Sequence, residues 1–298
     1  MKCSKRKDIV TSQCKVVILY FSGTGNTKII SELFNKEFSQ KGCLVDCISL
    51  EKIIPEKFDF DKYDLIGLGF PVHAWDAPEI FYDFINQIPP VDSKKVFLYK
   101  TAGDPFLNGG TTLKIRKILK KAGYNVFYET LFAMPANIFL RYDDRLIKQL
   151  YNAAVKMIPE EVSAILKFTK QIYSSNFIFD TLIYLVSRFE SVGSKLFGKN
   201  LETLSSCTMC GKCISDCPVQ NIQKSDGKIT FSSNCILCMR CLKNCPVQAI
   251  VSRNMKWIVP KPWYEIEEII NDTTIPCDFL DQNCPFYFKG LLNYLNNR

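Results

Sequence analysis

Eight cysteines in the C-terminal third fall into a repeat. Cys207, Cys210, Cys213 and Cys217 recur 28 residues later as Cys235, Cys238, Cys241 and Cys245, and each half reads C-x2-C-x2-C-x3-C-P. Three cysteines at this spacing aim their sulfurs inward around one face of a cuboidal [4Fe–4S] cluster. The fourth reaches the cluster of the other repeat. The predicted ligand sets are therefore crossed: Cys207, Cys210, Cys213 and Cys245 hold one cluster, and Cys235, Cys238, Cys241 and Cys217 hold the second. The prolines after Cys217 and Cys245 turn the chain away, and Gly211 lets the backbone approach the inorganic sulfides. A zinc site of the CxxC…CxxC kind needs four cysteines in all; four in each half, with Cys-Pro endings, point to clusters.

A second constellation lies near the N-terminus. Ser22-Gly23-Thr24-Gly25-Asn26-Thr27 follows an apolar run and leads into a helical pattern. Such a loop offers backbone N–H groups and the positive end of a helix to an anion. The hydroxyls of Ser22, Thr24 and Thr27 and the Asn26 amide add donors, which suits a phosphate monoester. The loop lacks the G-K-[ST] ending of a nucleotide P-loop. Ile66-Gly67-Leu68-Gly69-Phe70 begins like a dinucleotide fingerprint, but position 72 is Val, so it reads as a strand.

The elements that position these groups show in the hydrophobic pattern. Short apolar runs at Val16–Phe21, Leu44–Ile48, Leu65–Phe70, Val96–Tyr99 and Val126–Phe132 predict strands. Helices are predicted between them at Thr27–Gln40, Pro78–Gln87 and Thr111–Ala122, with stops at Gly42, near Pro89 and at Gly123. Strands alternating with helices predict a parallel sheet covered on both faces. From Asp143 to about Gly198 the chain reads helical. Asp143 or Asp144 is an N-cap, Leu146, Ile147, Leu150 and Ala154 share a face, and Pro159 is expected to open a fresh helix. The apolar segment Phe177–Phe197 is expected to bridge the two halves.

The T-G-N-T string in this setting resembles the FMN phosphate loop of flavodoxins, and Cys207–Ile250 resembles the bacterial two-cluster ferredoxins. The whole is similar to the flavodoxin–ferredoxin fusion proteins of anaerobic bacteria. The resemblance implies an α/β fold: a doubly wound, parallel five-stranded sheet in order 2-1-3-4-5, with a small α+β two-cluster ferredoxin domain. The expected divisions are 14–158 (FMN domain), 159–204 (helical connector), 205–252 (two clusters) and 253–298, a tail with Trp257, Trp263 and Tyr264. It further implies FMN at the carboxyl ends of the strands. Besides the phosphate loop, FMN would meet Pro71, Val72, His73, Ala74 and Trp75, and then Thr101, Ala102, Gly103 and Asp104. Trp75 stands where flavodoxins often stack a ring on the flavin. No Trp or Tyr flanks Gly103, Phe106 being the nearest ring.

His73 is the only histidine. In a flavin loop it is a candidate catalytic group, to hydrogen-bond the ring edge or supply a proton. Asp76 and Asp104, if they point inward, disfavour the anionic reduced flavin.

Composition sets the remaining bounds. The 298 residues suit about two domains, and 47% hydrophobic with 23% charged residues is an ordinary globular balance. The formal charge of +8 counts all 14 cysteines as neutral, and cluster-bound thiolates would reduce it. No zinc finger, basic helix or RNP-type sheet supports nucleic-acid binding, and no DNA-reading element supports a sensor. The basic start has no apolar stretch of signal-peptide length behind it. Phe177–Val186 is far short of the ~20 residues that span a bilayer. The expected setting is cytoplasmic, where clustered cysteines mean metal, without stable membrane insertion. The expected function is electron transfer between FMN and redox partner proteins, or a small-molecule donor or acceptor, through two [4Fe–4S] clusters. An FMN-dependent reductase with the ferredoxin part as electron inlet is the alternative. Cys277 and Cys284, like Cys3, Cys14, Cys43 and Cys47, carry no assigned chemistry.

Overall fold

The computed structural model describes residues 13–73, 76–105, 112–173, 192–280 and 285–296. Trp75, Ala74, Phe106, Cys3, Cys284 and most of the predicted bridge Phe177–Phe197 lie outside these residues. The N-terminal half alternates β1 (Lys15–Tyr20), α1 (Asn26–Gln40), β2 (Leu44–Ser49), β3 (Leu65–Pro71), α2 (Glu79–Gln87), β4 (Lys94–Ala102), α3 (Leu113–Lys121), β5 (Tyr124–Ala133) and α4 (Asp144–Leu166). The five strands are all parallel, in the order β2-β1-β3-β4-β5.

After Lys15, β1 reads as an unbroken apolar run, as does β3, because both of their faces are covered. Phe34, Phe38, Ile147 and Leu150 of α1 and α4 close one face; Phe81, Phe84, Ile115 and Leu119 of α2 and α3 close the other. In β3, Gly67 and Gly69 lie under rings of the adjacent strand: a Cβ on Gly67 would come within 2.3 Å of Phe97, and one on Gly69 within 2.1 Å of Tyr99. The fingerprint-like glycines thus serve packing. The order reverses at β1, so the loops after β1 and β3 diverge and leave a crevice at the strands' carboxyl ends.

Two sequence expectations need correction. Pro159 opens no new helix; α4 runs through it. Proline removes one donor, to the Val155 carbonyl, and Val155 is on the exposed side. Buried Met157, Ile158, Val162 and Ile165 hold the helix together across the gap. The connector is also not wholly helical at its start. Gln171 lies along β5, donating to the Phe127 carbonyl at 3.0 Å and accepting from the Glu129 amide at 2.7 Å. This covers the sheet's open edge.

Residues 192–199 form helix α5. The cysteine repeat then folds as two short antiparallel ribbons, β6 (Leu201–Thr203) with β9 (Ile250–Ser252) and β7 (Ile222–Ser225) with β8 (Lys228–Phe231), plus the short helices α6 (Lys212–Ser215) and α7 (Arg240–Lys243). The internal symmetry extends to the backbone. Left-handed residues occur in pairs 28 positions apart: Met209 with Leu237, Gly211 with Met239, and Gln220 with Gln248. The tail returns to the first domain, where α8 (Ile266–Asn271) packs beside α4 and buries Ile266 and Ile269 in the α1/α4 core.

Candidate functional site

The two crossed cysteine sets come together in space. Cys217, Cys235, Cys238 and Cys241 line one small cavity; Cys207, Cys210, Cys213 and Cys245 line another. Among the described residues, no three Cys, His, Asp or Glu side chains converge closely enough for a single ion. The sulfurs instead surround a space, which fits a cuboidal group with a ligand at each iron. Matched amides point at the crossing sulfurs: Asn221 N–H to Cys217 Sγ and Ala249 N–H to Cys245 Sγ, both 3.2 Å. The environments differ. Burial pushes the Cys235 thiol up to about 12 and the Cys238 thiol up to about 11, whereas the Lys212 amide holds exposed Cys210 below its usual value. Loading metal onto the buried set must therefore expel protons.

At the crevice, Gly25 takes a left-handed φ of 111° and starts α1. The first helical bond runs from the Ile29 amide to the Gly25 carbonyl at 3.0 Å, so earlier amides precede the ladder. A cavity of about 240 Å3 opens there, lined by Ser22, Gly23, Thr24, Asn26 and Thr27, by Pro71, Val72 and His73 after β3, and by Thr101, Ala102, Gly103 and Asp104 after β4. The three loops named from sequence thus share one cavity. Thr24 Oγ1 is buried without a hydrogen bond, and Ser22 Oγ accepts from the Gly25 amide at 3.1 Å, leaving its own proton to give. Thr27 and Thr101 hydroxyls pair at 2.8 Å across the cavity floor. A neutral donor set of this kind fits a phosphate monoester.

Some expected contacts go elsewhere. The Asn26 amide does not face an anion; it donates to the Pro135 carbonyl at 2.8 Å and to the Tyr264 hydroxyl at 3.2 Å. Asp76 does not point inward: its carboxylate accepts from the Ala77 amide and from the Tyr82 hydroxyl at 2.5 Å. Asp104 does line the cavity. Desolvation pushes the His73 imidazole down to about 4, against the pull of the Ile236 backbone. His73 is thus neutral at pH 7, a hydrogen-bonding group rather than a ready proton source.

Sequence reasoning missed the other walls. Met134–Phe139, after β5, and Tyr142 close one side, and Leu237 and Cys238 of the cysteine repeat close another. Cys238 therefore lies at once in the half-buried four-sulfur set and in the wall of the anion-loop cavity. Ile236 beside it is buried in the α2/α3 core. Arg240 fixes this junction: it forks onto Glu51 at 2.8 Å to each oxygen and donates to the Ser22 carbonyl at 2.8 Å.

Residues 17–123 match the flavodoxin domain family and residues 206–250 match the 4Fe-4S dicluster domain family. The chain carries a flavodoxin-like domain and a 4Fe–4S dicluster ferredoxin domain. Together the two domains support an electron-transfer redox protein and are consistent with a flavodoxin–ferredoxin fusion. An uncharacterized protein of Methanocaldococcus jannaschii is 29% identical over 116 residues, covering 39% of this chain and 72% of that protein. Among solved structures, rubredoxin oxygen:oxidoreductase of Desulfovibrio gigas is 16% identical over 52% of this chain with a TM-score of 0.38, and the match spans 36% of that chain. A flavone reductase is 12% identical over 73% of this chain and 80% of its own, with a TM-score of 0.40. Among the described residues, no helix is long and apolar enough to cross a membrane.

Proposed function

We propose that the protein is a flavo-iron–sulfur electron carrier that passes single electrons between external redox partners and FMN through two [4Fe–4S] clusters. One observation carries this reading: Cys238, a predicted ligand of the cluster nearer the first domain, lines the same cavity as the phosphate-type loop. The Cys207, Cys210, Cys213 and Cys245 set is the outer one. Cys210 is exposed there beside exposed Val247 of the second Cys-Pro turn, a face on which a partner protein can dock. The Cys217, Cys235, Cys238 and Cys241 set is the inner one. Electrons so pass outer set, inner set, flavin cavity, with the reverse order for the opposite flow.

FMN supplies a centre that exchanges electrons singly or in pairs. Its holders would be the backbone and hydroxyls of Ser22–Thr27 at the phosphate, with Pro71–Trp75 and Thr101–Asp104 around the ring. Thr27 and Thr101 brace the two loops, neutral His73 offers a hydrogen bond, and Leu237 with Cys238 excludes water between the centres. A cytoplasmic, low-oxygen setting suits exposed cluster ligands.

Anaerobic purification followed by flavin and iron quantification tests this. The expected yield is one FMN and eight irons per chain, with flavin bleaching when the clusters are reduced by dithionite. Clusters without flavin would sink the mechanism. The reductase alternative draws on a separate observation, an apolar chamber that continues the flavin cavity.

A further inference from the structure

Continuing the flavin cavity is a chamber of about 630 Å3 that shares Val72, Ala102, Gly103, Asp104, Leu237 and the Ile138–Phe139 wall with it. Its remaining walls come from distant parts of the chain: Phe197 of α5, and Met255, Trp257 and Ile258 after the ferredoxin repeat. The lining is almost wholly apolar, with the Asp104 carboxylate and Ser194 as its polar groups. This size and character match a small-molecule site.

Two features give the occupant a shape. Phe139 and Trp257 stack with centroids 5.4 Å apart and planes 17° from parallel, yet their residues stay 60% and 67% exposed. Ring faces left open in a parallel pair suit a flat guest, since offset stacking rewards planarity. Phe139 also holds a left-handed φ of 66°, costly for a bulky residue. It is fixed there by its amide on the Ile258 carbonyl at 3.0 Å and by the Leu140 amide on the Ile138 carbonyl at 2.8 Å. The fold thus bears strain to hold this ring in the chamber wall. The almost wholly apolar lining disfavours a charged guest.

We propose that the chamber binds a flat, uncharged, conjugated organic molecule at the ring end of the flavin cavity, as the substrate of the protein's redox centre. The assignment rests on the reading that FMN fills the adjoining cavity. Reducing one conjugated double bond there consumes two electrons, delivered singly through the clusters from an external iron–sulfur carrier, and two protons from solvent. The double bond becomes a single bond, and two molecules of the carrier are oxidised.

Gly193 makes the idea testable without disturbing the cofactors. It lies in α5 and lines the chamber, and among the described residues nothing stands within 4 Å of a Cβ placed on it. Gly193→Phe should fill the chamber while clusters and flavin remain. Equilibrium dialysis of the anaerobically purified holoprotein against 2-naphthol should give one saturable site. Affinity should fall about tenfold or more in Trp257→Ala, the scale of a lost stacking partner with its buried area. Binding should vanish in Gly193→Phe, and cyclohexanol should not compete. Absence of saturable binding, or equal affinity in both variants, overturns the assignment. Binding in this pattern with no flavin bleaching on cluster reduction would refute the carrier reading and the electron route to the guest, and leave the chamber as a binding site alone. Bleaching without binding would remove the chamber alone.

Discussion

A Cβ placed on Gly23 would lie 2.3 Å from the carbonyl oxygen of Cys238. The anion loop of one domain and the cluster loop of the other meet in van der Waals contact at a residue that can carry no side chain. The obstacle is backbone, so no rotamer change relieves it. Gly23→Ala must part the two loops by about an ångström. We expect full iron content and slower flavin reduction by the clusters, by roughly tenfold or more, given the steep cost of ångström-scale misplacement of reacting groups. Stopped-flow flavin absorbance after dithionite reduction measures it; a wild-type rate would mean the junction is not the electron route.

Arg240 and Glu51 hold the same junction by charge. Both side chains are about four-fifths buried, at 18% and 20% exposed, and the Arg fork also serves the Ser22 carbonyl. Removing one partner strands the other, at a cost of about 2 kcal/mol for a charge-assisted, partly buried pair. Arg240→Gln and Glu51→Gln should each lower the unfolding midpoint, and the double variant should cost less than their sum. Strict additivity would show that the pair contributes nothing as a pair.

What was legible in the sequence was what lies close along it. The cluster ligands and the loop Ser22–Thr27 are local strings whose chemistry needs neighbours, and each strand carries a short apolar run that local reading finds. The missed groups act across long separations. Arg240 sits inside the second C-x2-C-x2-C string and reads as a surface charge until Glu51, 189 residues earlier, is placed beside it. Tyr264 reads as tail, yet its hydroxyl donates to Asn137 at 2.7 Å and accepts from Asn26, 238 residues away. Pro159 misled because propensity rules describe a helix alone, whereas α4 is held by the core beneath it.

The Tyr264 hydroxyl therefore braces the anion loop from the tail. Tyr264→Phe leaves half-buried Asn137 without its donor and takes an acceptor from buried Asn26, worth about 1–2 kcal/mol. FMN affinity should drop by about tenfold, measured by fluorescence titration of flavin-depleted protein, while iron content stays constant. Unchanged affinity would reduce the tail to a cover for α4.

The crossed ligand sets make a prediction that a local arrangement contradicts. Cys217→Ser should damage the cluster built on Cys235, Cys238 and Cys241, and with it flavin reduction. Cys245→Ser should damage the outer cluster and leave the inner one beside the flavin. EPR of the reduced proteins separates the two outcomes, because each variant should keep one unperturbed signal. If Cys217→Ser instead removed the signal that Cys207→Ser removes, the sets would be local.

His73 reports on the closed junction from within. Its folded value, about 4, lies below the ordinary 6.5. The unfolded or undocked chain thus binds a proton through that window and the docked chain does not. Stability from this group is present above about pH 6.5 and is lost as pH falls toward 4. Because His73 is the only histidine, 13C-labelled histidine gives a single imidazole signal. That signal should stay in the neutral position from pH 8 to pH 5 in the wild type. In Gly23→Ala, where the cluster loop is pushed off, it should begin to titrate nearer 6.5, as solvent returns to the ring. A wild-type midpoint near 6.5 would mean that water reaches His73 in the docked state and that the inner cluster and the flavin cavity are not sealed together.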